Sequence, residues 1–145
     1  MGEGFFMKQM DGLKSILILC TANRCRSQMA EGWVRHYAPN EVAVYSAGVR
    51  ATFVHPLAIE VMAERGIDLW AHRSEHLSRY LDKEIDLVVT VCDSAREQCP
   101  VLPRAKRTLH QRFDDPDAAE GSDAEVLGVF RRVRDEIEAW AKSLF

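Results

Sequence analysis

Two short apolar runs constrain this chain more than anything else in its sequence. Ser15-Ile16-Leu17-Ile18-Leu19-Cys20 and Asp86-Leu87-Val88-Val89-Thr90-Val91-Cys92 are nearly continuous in apolar residues, and each stops at a cysteine. Runs of this length fit strands buried on both faces, the habit of parallel sheets. Elsewhere the period changes. From Ser27 the residues Met29, Ala30, Trp33, Val34, Tyr37 and Ala38 recur at helical spacing until Pro39-Asn40 stops them. Val42 to Ala47 reads as another strand closed by Gly48, and Pro56 opens a helix that Gly66 ends. The stretch from Asp68 to Leu81 predicts a short strand or turn and one short helix. Val126, Leu127, Phe130, Val133, Ile137, Trp140 and Leu144 then share one face of a long final helix, with Arg131, Arg134, Asp135, Glu138 and Lys142 off it.

Strands alternating with helices predict an α/β fold in three layers, a mostly parallel sheet covered on both faces. Ligands in such folds bind beyond the carboxyl ends of the strands, where Cys20 and Cys92 both fall. At 145 residues the chain has the length of one domain, expected over residues 14–145 behind a tail at 1–13. A formal charge of −3 gives no basic field for nucleic acid, and no apolar run suits a signal core or a membrane span. The expectation is a cytoplasmic protein, with neither nucleic acid nor membrane as partner, whose four cysteines start reduced.

The loop Cys20-Thr21-Ala22-Asn23-Arg24-Cys25-Arg26-Ser27 joins the first strand to a helix and lacks both familiar glycine-rich nucleotide patterns. It can still cradle an oxyanion. The first N–H groups of a helix have no internal partner and carry the positive end of its dipole. Backbone N–H groups of Thr21, Ala22, Asn23, Arg24 and Cys25, with the forked Arg26 guanidinium, make the candidate oxyanion set. A cysteine at the start of the loop feels the same field, which favours the thiolate. Cys20 is thus the candidate nucleophile and Ser27 a hydrogen-bond donor to it; Asn23 suits the left-handed backbone of a tight ring. The side chain of Cys25 reads as packing.

Cys92 and Cys99 lie seven positions apart, roughly 10.5 Å along an α-helix at ~1.5 Å per residue. A disulfide requires a Cα separation of ~4.4–6.8 Å, so the pair closes only if the segment unwinds before Pro100. Such a segment is a redox switch, or else holds two unrelated packed thiols. Zinc fits poorly, because structural sites separate their cysteines by about two to four residues, and the gaps here are at that limit, four, for Cys20 and Cys25 and beyond it, six, for Cys92 and Cys99. His72 and His76, four apart without a metal motif, read as solvated residues of a helix face, so no metal site is expected from them. Asp115, held extended by Pro116, is the candidate acid for a departing oxygen.

Together these residues resemble the low-molecular-weight tyrosine phosphatase fold family, and within it the thioredoxin-coupled arsenate reductases. Cys20 to Ser27 and Asp115-Pro116 carry the phosphatase-type signature. Gln28-Met29-Ala30-Glu31-Gly32-Trp33, Val88 to Cys92 with Cys99-Pro100, and Phe113-Asp114-Asp115-Pro116 carry the reductase type. The resemblance implies a four-stranded sheet and a three-thiol relay. Cys20 attacks arsenate held by the loop and Arg26, and Asp115 protonates the leaving hydroxyl. Cys92 attacks the adduct, Cys99 takes over the disulfide, and thioredoxin reduces it. Some relatives bind potassium near this loop; Asn23, Glu31 and Ser46 match that site, with Glu75 in place of an aspartate. No other cofactor is implied. The chain departs from the family at Ala22, usually glycine, and at Gln111-Arg112, usually Trp-Gly. The alternatives are a phosphatase of phosphotyrosine or small phosphoesters, which needs neither later cysteine, and a non-enzymatic oxyanion or redox sensor.

Overall fold

β1 (Ser15–Cys20) runs through the middle of a four-stranded parallel sheet of order β2-β1-β3-β4. The computed structural model describes residues 12–93 and 100–145, so most of the expected tail lies outside the described residues. β2 (Ala43–Gly48) pairs with β1 from Ser15↔Ala43 to Cys20↔Gly48, and β3 (Ile85–Thr90) pairs on the other side up to Leu19↔Thr90. With neighbours on both edges and cover on both faces, β1 has no position where a polar side chain is cheap. That is why its sequence is continuously apolar.

Three α-helices follow the expected segments: α1 (Arg26–Tyr37), α2 (Pro56–Ala63) and α3 (Asp123–Ser143). α2 starts on Pro56, with the His55 ring accepting the Leu57 N–H at 3.0 Å. α3 opens with a reciprocal capping box between Ser122 and Glu125. The helices bury Met29, Val34, Val61, Met62, Phe130, Val133 and Ile137 against Ile16, Ile18, Leu87 and Val89 of the sheet. On the opposite face Leu17, Leu19, Ala47 and Val88 pack with Tyr80 and Leu102. The Asp68 to Leu81 stretch supplies a single bridge, Gly48 to His76, and a 3-10 turn at Leu77–Tyr80.

The fourth strand, β4 (Ala105–His110), carries no apolar period of its own: its Ala-Lys-Arg-Thr-Leu-His sequence is largely exposed, and the backbone ladder to β3 defines it. The connections of β1 and β3 leave in opposite directions, so the switch point of the sheet lies between their carboxyl ends.

One ionic cluster locks α2 to α3. Glu64 accepts Arg131 at 2.7 Å and the buried Arg134 at 2.7 Å, and Arg134 also donates to the Val61 carbonyl. Hydrogen bonds from Arg131, then from Arg134, hold the Glu64 carboxyl down at about 2 against an ordinary 4.5. A depressed carboxylate stabilises the fold above its unfolded value and loses that contribution as pH falls through its folded one. Glu64→Gln is therefore expected to flatten the acid limb of a thermal-melt series between pH 4.5 and about 2.

Candidate active site

α1 begins without a side-chain cap: Cys25 occupies the cap position and makes no capping hydrogen bond, and no acidic residue sits in the first turn. Serine, threonine, aspartate or asparagine usually fills that place, and leaving it open keeps the first N–H groups available to an external anion. The loop from Cys20 to Arg26 bends around this end, with Asn23 in the left-handed region at φ 48°. Its N–H reaches Cys20 Sγ at 3.2 Å.

The wiring behind the loop is directional. The Asn23 amide donates to Ser27 Oγ at 2.8 Å and to Ser46 Oγ at 3.0 Å. Ser46 in turn donates to Glu31 at 2.6 Å. Ser27 Oγ, already accepting from Asn23, lies 2.9 Å from Cys20 Sγ, with its own proton available to a thiolate there. The fully buried Gln28 ties the ring from below, donating to Asn23 O (3.2 Å), Asn23 Oδ1 (3.1 Å) and the Arg73 carbonyl (3.0 Å).

In front of the loop, Cys20, Thr21, Ala22, Arg24, Cys25, Arg26, Arg50, Asp115 and Asp117 line a pocket of about 100 Å³. Arg26 is buried; one of its terminal nitrogens faces Asp115 at 3.6 Å and the other the Phe113 carbonyl at 3.5 Å. Asp115 also accepts the Asp117 N–H at 3.0 Å, which caps the turn Pro116–Ala118. Arg24 packs over the Phe53 ring, and its Nε faces Asp117 at 3.5 Å, a Coulombic contact rather than a hydrogen bond. His55 faces the same carboxylate at 3.4 Å. Burial first, then the charges of Asp117 and Asp115, pushes the Cys25 thiol far up, so it stays protonated although it lies in the same ring as Cys20.

Cys92 follows β3 and is fully buried. It is disulfide-bonded, whereas Cys20 and Cys25 are free thiols. Cys99, and with it the unwinding expected between the two later cysteines, lies outside the described residues. Of the residues matched to a cation site, Asn23, Ser46 and Glu31 form one hydrogen-bonded chain. Glu75 joins them through its backbone N–H, 2.8 Å from Asn23 Oδ1, while its carboxylate pairs with Arg79 at 3.1 Å.

Two sequence readings need correction. His72 is not a solvated helix residue: its half-buried ring shares a hydrogen bond with Gln28 at 3.1 Å and faces Glu31 at 3.7 Å. His76 caps the short turn after it, accepting the Ser78 N–H. Both belong to the irregular segment that props the anion loop. Arg50 and Asp117, singled out by no motif, line the pocket. Arg50 lies just beyond the carboxyl end of β2, where the strand-end rule points.

Gly48 shows how closely this ring is packed. A Cβ there would sit 2.7 Å from the Thr21 carbonyl oxygen and 2.8 Å from the Asn23 nitrogen, both backbone atoms. Gly48→Ala should cost about 1–3 kcal/mol of stability, as overpacking does, and weaken oxyanion binding. Thermal melts and phosphate titration calorimetry of the purified variant measure both.

A buried parallel strand, an uncapped helix, and a cysteine and arginine facing an aspartate across a small pocket form the kind of arrangement that suits an oxyanion. The sequence profile of the family described as low molecular weight phosphotyrosine protein phosphatase matches residues 15–145, and the chain belongs to that family. Its curated relatives include the arsenate reductases of Halalkalibacterium halodurans and Bacillus subtilis. They are 51% and 45% identical to it, each match covering 86% of this chain and 89% of the relative. Among solved structures, an arsenate reductase in the phosphate binding state superposes with a TM-score of 0.77 at 30% identity, covering 91% of this chain and 96% of that one. The arsenate reductase of Archaeoglobus fulgidus does so at 0.74 and 31%, covering 89% and 97%. A tyrosine phosphatase of Erwinia amylovora, 23% identical with a TM-score of 0.73, shares the fold. No helix among the described residues is long and apolar enough to cross a membrane.

Proposed function

We propose that this chain reduces arsenate to arsenite through three of its thiols and is returned to its dithiol form by thioredoxin. Arsenate sits in the pocket against the loop N–H groups and Arg26. The Cys20 thiolate attacks arsenic, and an As–O bond breaks as Asp115 supplies the proton that lets hydroxide leave as water. Cys92 then attacks the Cys20 sulfur. A sulfur–sulfur bond forms, the S–As bond breaks, and its electron pair stays on arsenic, which departs as arsenite. Cys99 attacks Cys92, frees the Cys20 thiolate and carries the disulfide outward, where a dithiol partner reduces it. Such a cycle belongs in the cytoplasm, where that partner is kept reduced.

The observation that carries this reading is the pair of thiols on neighbouring strand ends, Cys20 free beside Ser27 and Arg26, Cys92 already in a disulfide. The relatives named arsenate reductase support the substrate. The electrons come from thiols, so we assign no organic cofactor. An alkali cation behind the loop would be held by Asn23, Glu31, Ser46 and Glu75. As oriented, these donors are spent on neighbours: Glu31 pairs with Arg35 at 2.8 Å, Glu75 with Arg79, and Asn23 Oδ1 accepts from Gln28 and Glu75. They do not form a finished cation site, and no step above depends on one.

The test is a thiol count on the reduced protein before and after one equivalent of arsenate, with peptide mapping of the product. The relay predicts one equivalent of arsenite, two thiols lost and a Cys92–Cys99 bridge. Hydrolysis of an aryl phosphate at rates untouched by Cys92→Ser and Cys99→Ser, without arsenite formation, would mean a phosphatase instead.

A further inference from the structure

Arg112 occupies the gap between two parts of the proposed chemistry. Its guanidinium meets Asp93 at 3.2 Å and Asp114 at 2.8 Å. Asp93 directly follows the disulfide-bonded Cys92, and its side chain is only 12% exposed. Asp114 directly precedes the candidate acid Asp115 and is itself held by Arg132 of α3 at 3.1 Å, with Arg132 braced by Glu136.

The two ends of this bridge differ in how firmly they are fixed. Gln111 N–H donates to the Thr90 carbonyl at 2.8 Å and Phe113 N–H to the Val91 carbonyl at 3.2 Å. The β3–β4 ladder therefore continues on both sides of Arg112 and anchors its backbone. Asp93 is joined directly to Cys92, and a disulfide at Cys92, with its narrow geometry, fixes the adjoining backbone more tightly than a free thiol does. A contact between an anchored cation and a carboxylate beside that bond is made best in the state that holds the carboxylate still. Here it is made while Cys92 is oxidised.

We propose that Arg112 is a positioning residue that clasps Asp93 to Asp114 when Cys92 is disulfide-bonded, favouring the oxidised form and tying it to the acid loop. The inference deepens the relay reading and takes from it the redox role of Cys92. The clasp acts on the equilibrium in which an external dithiol gives two electrons and two protons to the Cys92 disulfide, yielding two protein thiols and one oxidised dithiol. An interaction present only on the disulfide side shifts that equilibrium toward the disulfide.

The experiment equilibrates the full chain in dithiothreitol redox buffers without arsenate, quenches in acid, alkylates, and measures the dithiol fraction by mass. Arg112→Gln is expected to move the equilibrium toward the dithiol about two- to fivefold, the range for a partly exposed charged pair. Arg112→Lys should recover part of the shift. Arg112→Gln and Asp93→Asn combined should shift it less than the sum of the two alone. An unchanged equilibrium in Arg112→Gln, additive effects of the two substitutions, or failure of Cys92 to form a disulfide at all would each overturn the clasp. Arsenate turnover is not read, so a failure of the reductase assignment registers separately in the thiol count.

Discussion

Cys20→Ser should form no measurable arsenite, with turnover down about 10⁵-fold or more, the scale on which losing a covalent nucleophile is felt. A serine hydroxyl at this position keeps its proton at neutral pH, and Ser27, its neighbour at 2.9 Å, is no base to take it. The pocket itself should survive. The loop is held by Gln28 and by the Asn23 side chain, none of whose bonds pass through sulfur except the single Asn23 N–H contact. Phosphate affinity measured calorimetrically is therefore expected to stay within a few-fold. Cys25→Ser is the internal control, and arsenite production close to that of the parent chain is expected because the buried Cys25 thiol stays protonated. Turnover by Cys20→Ser within tenfold of the parent would remove Cys20 as nucleophile.

The second large effect falls on Arg26. Its guanidinium faces both Asp115 and the Phe113 carbonyl from a buried position, so one side chain spans anion, acid and acid-loop backbone. Lysine keeps the charge but offers a single point where two prongs are needed. Arg26→Lys is expected to lower kcat/KM for arsenate about 10²- to 10³-fold, the size of losing a preorganised oxyanion donor. The loss should appear in kcat as well as KM, since the acid loop leans on the same group. Steady-state kinetics decide, and an effect confined to KM would restrict Arg26 to ground-state binding.

The interior of the fold was readable because burial on both faces leaves a strand no choice of residue. β1 and β3 declared themselves as apolar runs, and α3 by its stripe from Val126 to Leu144. β4 did not, because an edge strand with exposed side chains is defined by main-chain pairing and leaves Lys106, Arg107 and Thr108 looking like loop. The same division runs through the site. Cys20, Arg26 and Ser27 share one local loop, so spacing alone could bring them together. Ser46 reaches Asn23, and His72 reaches Gln28, only through the sheet register and the irregular segment behind it, and a polar residue gives no local sign that it will be buried there. Arg112 reads as an ordinary surface cation until Asp93 and Asp114 are seen on either side of it.

The parallel ladder between β1 and β3 also acts as a ruler. Leu19 pairs with Thr90, and the Val91 N–H donates to the Leu19 carbonyl at 2.9 Å. Cys20 follows that pair by one residue and Cys92 by two. Because backbone hydrogen-bonding groups and side chains both alternate along a strand, the smallest slip that restores the ladder's bonds and keeps each side chain on its own face is two residues, or about 6.6 Å at ~3.3 Å each. That displacement alone is about as long as the widest Cα separation a disulfide spans, roughly 6.8 Å. The gap between Cys20 and Cys92 is thus set by the backbone hydrogen bonds of a ladder that ends beside both. Mutations in the sheet core that loosen register should desynchronise the two thiols before they unfold the protein.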